Sequence, residues 1–168
     1  EYGIHPLPFY VEPPESEVRT PELLKKYPLI MVSGRRSPVF FHSGHRNIPW
    51  LRSCDPYPLV EVHPSVMKQL GIDNGEWVWV ENDRGRIRRK VKENPSMHPN
   101  TVSVPHGWWL PETEGTCPNF YGAWDINCNL LIPVDTQSES GYGGGAYKTT
   151  LCRLRKIGPS DGPHPNYE

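Results

Sequence analysis

The chain has 168 residues, 36% of them hydrophobic and 22% charged, with a formal net charge of −1; this fits one globular domain and lacks the basic excess of a dedicated nucleic-acid binder. Proline is the outlier at 20 residues, more than double the usual share of roughly 5%, which disfavours long helices and favours strands, turns and extended connections. No run of eighteen apolar residues occurs, so no membrane span is expected, and Cys54, Cys117, Cys128 and Cys152 form no CxxC pair and read as four isolated small apolar residues.

Residues 1–27 read as an extended arm, because "PLP" and "EPPE" fix the backbone and remove donors. The arm begins at Glu1 rather than methionine and lacks the pattern of a signal peptide, which suggests a fragment or a processed product. A short helix is predicted from Thr20, a capping residue, with Pro21 in the first turn and Glu22 beside it. The apolar run "PLIMVSG" (28–34) predicts a buried strand ended by Ser33 and Gly34. "PLVEVHP" (58–64) alternates and is bounded by prolines. "HPSVMKQLGI" predicts a helix with Pro64 near its start, Val66, Met67 and Leu70 on one face, and Gly71 as its stop.

"EWVWVEN" (76–82) and "RIRRKVKE" (86–93) flank Asp83, Arg84 and Gly85, a predicted hairpin whose glycine takes the positive φ. Trp77 and Trp79 share a face and read as barrel wall; the basic residues of 86–92 read as a solvated strand face. "TVSVPHG" (101–107) and "YKTTLCRLRK" (147–156) complete the strands, and the polar Gly/Pro-rich tail from Gly158 reads as loose. The expected organisation is therefore an arm (1–27), a small closed barrel (28–157) and a tail (158–168), mainly β with a few short helices.

The chemistry concentrates where acidic residues are missing: none occurs from Leu23 to Cys54. Ser33, Gly34 and Arg35 combine a strand end, free backbone N–H groups and a guanidinium fork, which suits phosphate. His42, His45 and Arg46 follow with no carboxylate to neutralise them. The i, i+3 histidines, with His63 or His106 as a third ligand, could instead hold zinc, although the nearby arginines repel a cation.

"VPHGWW" offers His106 and Trp108 either as a flat ligand wall or as a core aromatic pair with a bonded histidine. Asn127 and Asn129 could read a base edge or cap a turn. "SGYGGGAYK" leads into Tyr147 and Lys148, either as a linker or as a loop that lets backbone approach an anion beside the lysine. No nucleophilic triad, metal-binding Cys/His cluster or paired-carboxylate motif is visible, so the pattern is one of binding.

The succession "ELLKKYPLIMVSGRR", "FHSGHRNIPWLR", "PLVEVHPSVMKQLGIDNGEWVWVENDRGRIRRKVK", "VSVPHGWW", "NCNLL" and "YKTTLCRLRK" resembles the C-terminal molybdopterin-dinucleotide-binding domain of the dimethyl sulfoxide reductase family of molybdenum and tungsten oxidoreductases. The resemblance implies a six-stranded double-psi β-barrel, like that of aspartate-decarboxylase-type proteins, that binds molybdopterin guanine dinucleotide. By motif it implies cofactor contacts from Ser33, Gly34, Arg35, His42, His45, Arg46, His106, Trp108, Asn129, Tyr147 and Lys148, with Asn127 a further candidate. It also implies partners: the catalytic domains of the same enzyme and an iron–sulfur electron-transfer subunit, with no nucleic acid.

The family's metal ligand and iron–sulfur cysteines have no counterpart here, so a cofactor-binding part without turnover of its own is expected. "FHSGHRNIPW" looks nearest to anaerobic members acting on small organic or sulfur compounds. Two rivals are a free-standing double-psi barrel enzyme, which would need a self-processing Gly-Ser where this chain has only Ser-Gly, and a small non-catalytic subunit.

Overall fold

The computed structural model describes residues 7, 10–33, 37–133 and 147–161. Six strands form a closed barrel: β1 (Leu29–Val32), β2 (Leu59–Val62), β3 (Trp77–Asn82), β4 (Gly85–Glu93), β5 (Thr101–Ser103) and β6 (Thr150–Lys156). Their order around the barrel is β1, β5, β2, β4, β3, β6. β1 runs parallel to β5 and β2 parallel to β4, while the other neighbours are antiparallel. This is the six-stranded mixed barrel with few helices that the double-psi expectation describes. Each predicted strand forms: β1, β2 and β5 lose their proline- or glycine-bearing ends, β3 and β6 start later than expected, at Trp77 and Thr150, and β4 starts one residue earlier, at Gly85.

Strand alternation fills the barrel. Met31, Val60, Val62, Val78, Val80, Ile87, Val91, Val102 and Cys152 are buried in one apolar cluster, and closure leaves no edge strand open for pairing with another chain. The short helices are α1 (Pro21–Lys26), α2 (Pro49–Cys54), α3 (Pro64–Leu70) and α4 (Ala123–Ile126), with 3-10 turns at Cys128–Leu131 and Pro159–Asp161. α3 buries Val66 and Met67 and ends on Gly71 in the left-handed region at φ 64°, as its sequence predicts. Leu70, the last residue of this two-turn helix, is exposed, however.

Several local expectations are corrected. Thr20 precedes α1 but does not cap it; its hydroxyl donates to the Ser16 carbonyl instead. Gly85 does not take a positive φ. The β3–β4 turn is closed by the Asn82 side chain, whose Oδ1 accepts from Arg84 N–H (3.0 Å) and whose Nδ2 donates to the carbonyls of Leu131 and Leu151. Such an Asx turn supplies the reversal without a left-handed residue. On β4 the outward Arg86, Arg88, Lys90 and Lys92 form the expected basic face, but Arg89 departs from it: it is wholly buried, on the face shared with Ile87 and Val91. Arg86 and Arg88 lie over the Trp79 ring, which makes Trp79 a covered wall residue. Two cysteines, Cys54 and Cys117, are exposed, whereas Cys128 and Cys152 are buried. Among the described residues no helix is long and apolar enough to cross a membrane.

The described segments before β1 and after β6 are tied to the barrel by charge. Glu15 is buried, pairs with Arg84 (2.5 Å) and accepts from Leu151 N–H (2.7 Å). Tyr27 and Lys26 both donate to Asp83. Asp161 accepts from Arg155, Arg86 and the Gly158 N–H, and the hydrogen bonds from Arg155 and Gly158 hold its carboxyl well below the usual aspartate range.

Two outcomes are expected. Glu15→Gln replaces a buried carboxylate that accepts from both Arg84 and the Leu151 N–H with a neutral amide that has one acceptor oxygen, and costs about 1–3 kcal/mol in urea unfolding. Because the Asp161 carboxyl is depressed on folding, its contribution is complete above the ordinary aspartate range and is lost as pH falls through the lower folded value; a carboxyl NMR titration should show this low midpoint, and Arg155→Gln should raise it.

Candidate functional site

A cleft of about 610 Å³ opens at one end of the barrel, lined by Ser33, His42, Ser43, His106, Gly107, Asn127, Asn129, Tyr147 and Lys148. Five stretches of chain meet there. Ser33 sits at the end of β1, and its N–H donates to the Tyr147 carbonyl (2.9 Å). That bond uses a donor expected to be free, and it draws Tyr147 and Lys148 to the rim. β5 continues from Ser103 into the His106–Gly107 turn, with Val104 N–H on the Val32 carbonyl (2.9 Å). Neighbouring parallel strands thus deliver both segments to the same end.

The loop after β1 folds back across this end. His42 and His45 take φ values of 52° and 72°, a conformation sparsely populated outside glycine. His42 Nδ1 lies 3.0 Å from His106 Nε2, so one ring donates and the other accepts. Gly107, at φ 71°, is where these segments touch: a Cβ there would stand 2.9 Å from the His42 backbone carbon and oxygen. The Trp109 indole donates to the Ser43 carbonyl (2.5 Å).

Beneath the two histidine segments lies Arg46, 2% exposed. Its guanidinium lies over the rings of both Phe40 (4.4 Å) and Trp108 (4.1 Å), which meet edge to face. It donates to the carbonyls of Gly107 (2.7 Å), His42 (3.2 Å) and His106 (3.3 Å). Burial pushes the guanidinium down to about 10, with Asp55 acting in the opposite sense, so it stays charged at neutral pH.

On the far wall Asn127 Oδ1 accepts from Asn129 N–H (3.0 Å) and caps the 3-10 turn. The turn-capping alternative therefore holds for Asn127, while both asparagines still border the cleft.

The structure thus gathers Ser33, His42, His106, Asn129, Tyr147 and Lys148, with Asn127, around one opening. His45 is exposed but does not line it, and Arg46 and Trp108 lie below its floor as supports. Gly34 and Arg35 fall outside the described residues. Ser43 and Gly107 were missed by sequence reasoning; a glycine directly after a strand-end histidine was the available signal. The zinc alternative gains no support: His42 meets His106 and not His45, and among the described residues no group of three or more His, Cys, Asp or Glu could hold a metal ion.

Chemically the cleft offers a lysine, two imidazoles, hydroxyls and amides, with no carboxylate among its described lining residues. That donor set suits an anionic, hydrogen-bonding ligand, and the volume lies within the range of about 300–1,000 Å³ for small-molecule sites. A dinucleotide's phosphates and base fit both observations.

The family profile described as "Molydopterin dinucleotide binding domain" matches residues 29–151. Acetylene hydratase of Syntrophotalea acetylenica is 41% identical over 134 residues, covering 79% of this chain and 18% of that protein. Dopamine dehydroxylase of Eggerthella lenta is 40% identical over 161 residues, covering 95% of this chain and 15% of that protein. The solved structure of acetylene hydratase from Pelobacter acetylenicus superposes with a TM-score of 0.85 at 34% identity, covering 92% of this chain and 22% of that one. The chain therefore spans under a quarter of the length of these relatives.

Gly107→Ala should force the His106–Gly107 turn away from His42, both through its positive φ and through the backbone clash. A loss of about 2 kcal/mol or more in urea unfolding, with loss of the NMR contact between the His42 and His106 imidazole rings, is the expected result.

Proposed function

This chain belongs to the molybdopterin dinucleotide binding domain family of the dimethyl sulfoxide reductase type, and we propose that its cleft holds the nucleotide end of molybdopterin guanine dinucleotide. One observation carries the reading: five separate stretches converge on an opening whose described lining has donors and a cation but no carboxylate. Lys148 and the His42–His106 pair neutralise and hydrogen-bond the phosphates, helped by Ser33 and by the neighbouring Gly34 and Arg35. Asn127 and Asn129 present amide groups that can pair with a guanine edge. Tyr147, half-exposed at the rim, flanks the ligand.

When bound, such a cofactor supplies molybdenum or tungsten redox chemistry; this chain's residues bind and orient it. The polypeptide that carries this domain is on this reading a larger oxidoreductase, as the lengths of the relatives support. The remaining catalytic domains contact the domain, and an iron–sulfur electron-transfer subunit serves them.

Two measurements test this. Guanosine diphosphate should bind the chain, and Lys148→Ala should weaken it about tenfold, or about 1.4 kcal/mol, by calorimetry. In the full enzyme, neutralising Arg35 and Lys148 together should lower molybdenum and pterin content; unchanged content would sink the assignment.

A further inference from the structure

Arg89, on β4, is 0% exposed. It makes a single hydrogen bond, from Nη2 to the Ile126 carbonyl (2.5 Å), while Nε and Nη1 have no partner among the described residues. No carboxylate pairs with it there; the groups that face it are the Cys128 thiol and, across the interior, the Arg46 guanidinium. Burying a guanidinium with so little compensation costs more than one hydrogen bond returns. Its place in the fold is informative: Ile126 directly precedes Asn127, and Cys128 lies between Asn127 and Asn129, the two cleft-lining residues of that wall.

We propose that Arg89 is a positioning residue of the anion site. It holds the Asn127–Asn129 wall through the Ile126 carbonyl and supplies a fixed positive charge whose countercharge is the anionic occupant of the cleft. This rests on the reading of the cleft as a phosphate-binding site. Arg46 does the same under the opposite wall, through the His42, His106 and Gly107 carbonyls. Two buried guanidiniums are therefore bonded to the backbone of, or beside, two walls of the cleft, and in a low-dielectric interior their charge acts over a longer range than it would in water.

The test compares wild type with Arg89→Gln, which keeps a donor for Ile126 and removes the charge, with Arg89→Met, which removes both, and with Arg89→Lys, which keeps the charge. The readout is thermal stability of the chain with and without pyrophosphate at matched ionic strength. Pyrophosphate should raise the melting temperature of wild type and Arg89→Lys. In Arg89→Gln and Arg89→Met the shift should fall to less than half, while their unliganded melting temperatures should stay level with or above wild type. A full pyrophosphate shift in Arg89→Gln, or none in wild type, overturns the proposal. A wild-type shift with pyrophosphate but not with guanosine diphosphate would remove the dinucleotide reading and leave this one standing.

Discussion

Arg46, planar and charged, lies in the corner formed by two aromatic rings and donates to three backbone carbonyls. Those carbonyls belong to His42, His106 and Gly107, so one side chain joins the loop after β1 to the turn after β5. The left-handed His42 and the close approach at Gly107 both lie in the segments that Arg46 clasps. Backbone strain of this kind persists only where the surroundings over-determine it, and the guanidinium, its two aromatic neighbours and the indole bond from Trp109 to Ser43 supply that constraint. The imidazole pair follows from it: two rings on loops from different strands meet at hydrogen-bond distance.

The cost of this arrangement is electrostatic. Arg46 and Arg89 are buried with few anionic partners, Arg46 Nη1 lacks an acceptor among the described residues, and Lys148 and two histidines border the opening above them. A domain with net charge −1 thus segregates its charge. Carboxylates such as Glu81, Glu76 and Asp161 pair with basic residues on the outer barrel surface, and the described cleft lining has none. An anionic ligand completes this distribution, which connects the geometry to the family to which the chain belongs.

Much of the fold was legible in the sequence because its signals are local. Alternation in residues 59–62 and 77–82, the proline and glycine bounding α3, and the short apolar run ending at Ser33 each report on a few neighbouring residues, and the strands form where those patterns lie. The misreadings share one cause. Gly85 was expected to make the turn that Asn82 makes with its side chain, and Arg89 was read as solvated because a charged residue in a strand ordinarily is. Whether a given position faces water depends on what packs over it, and for Arg89 that cover comes from α4 and the 3-10 turn some forty residues later. The site divides in the same way. Ser33, His42, His106, Asn129, Tyr147 and Lys148 line the cleft, whereas Arg46 and Trp108, drawn from the same motifs, are buried behind it.

The amino-acid sequence by itself determined that this is a mainly β chain of six short strands, with a stretch from Leu23 to Cys54 devoid of acids and polar motifs suited to an anion, because composition and two-residue periodicity are written along the chain. Only the tertiary structure decided which of those motifs share a cleft, that His42 pairs with His106 and not His45, and that Arg46 and Arg89 are buried with their guanidiniums on backbone carbonyls of, or next to, its walls. Barrel closure is the physical reason: it brings the ends of β1 and β5 and the entry to β6 together from positions more than a hundred residues apart, and no local pattern encodes that convergence.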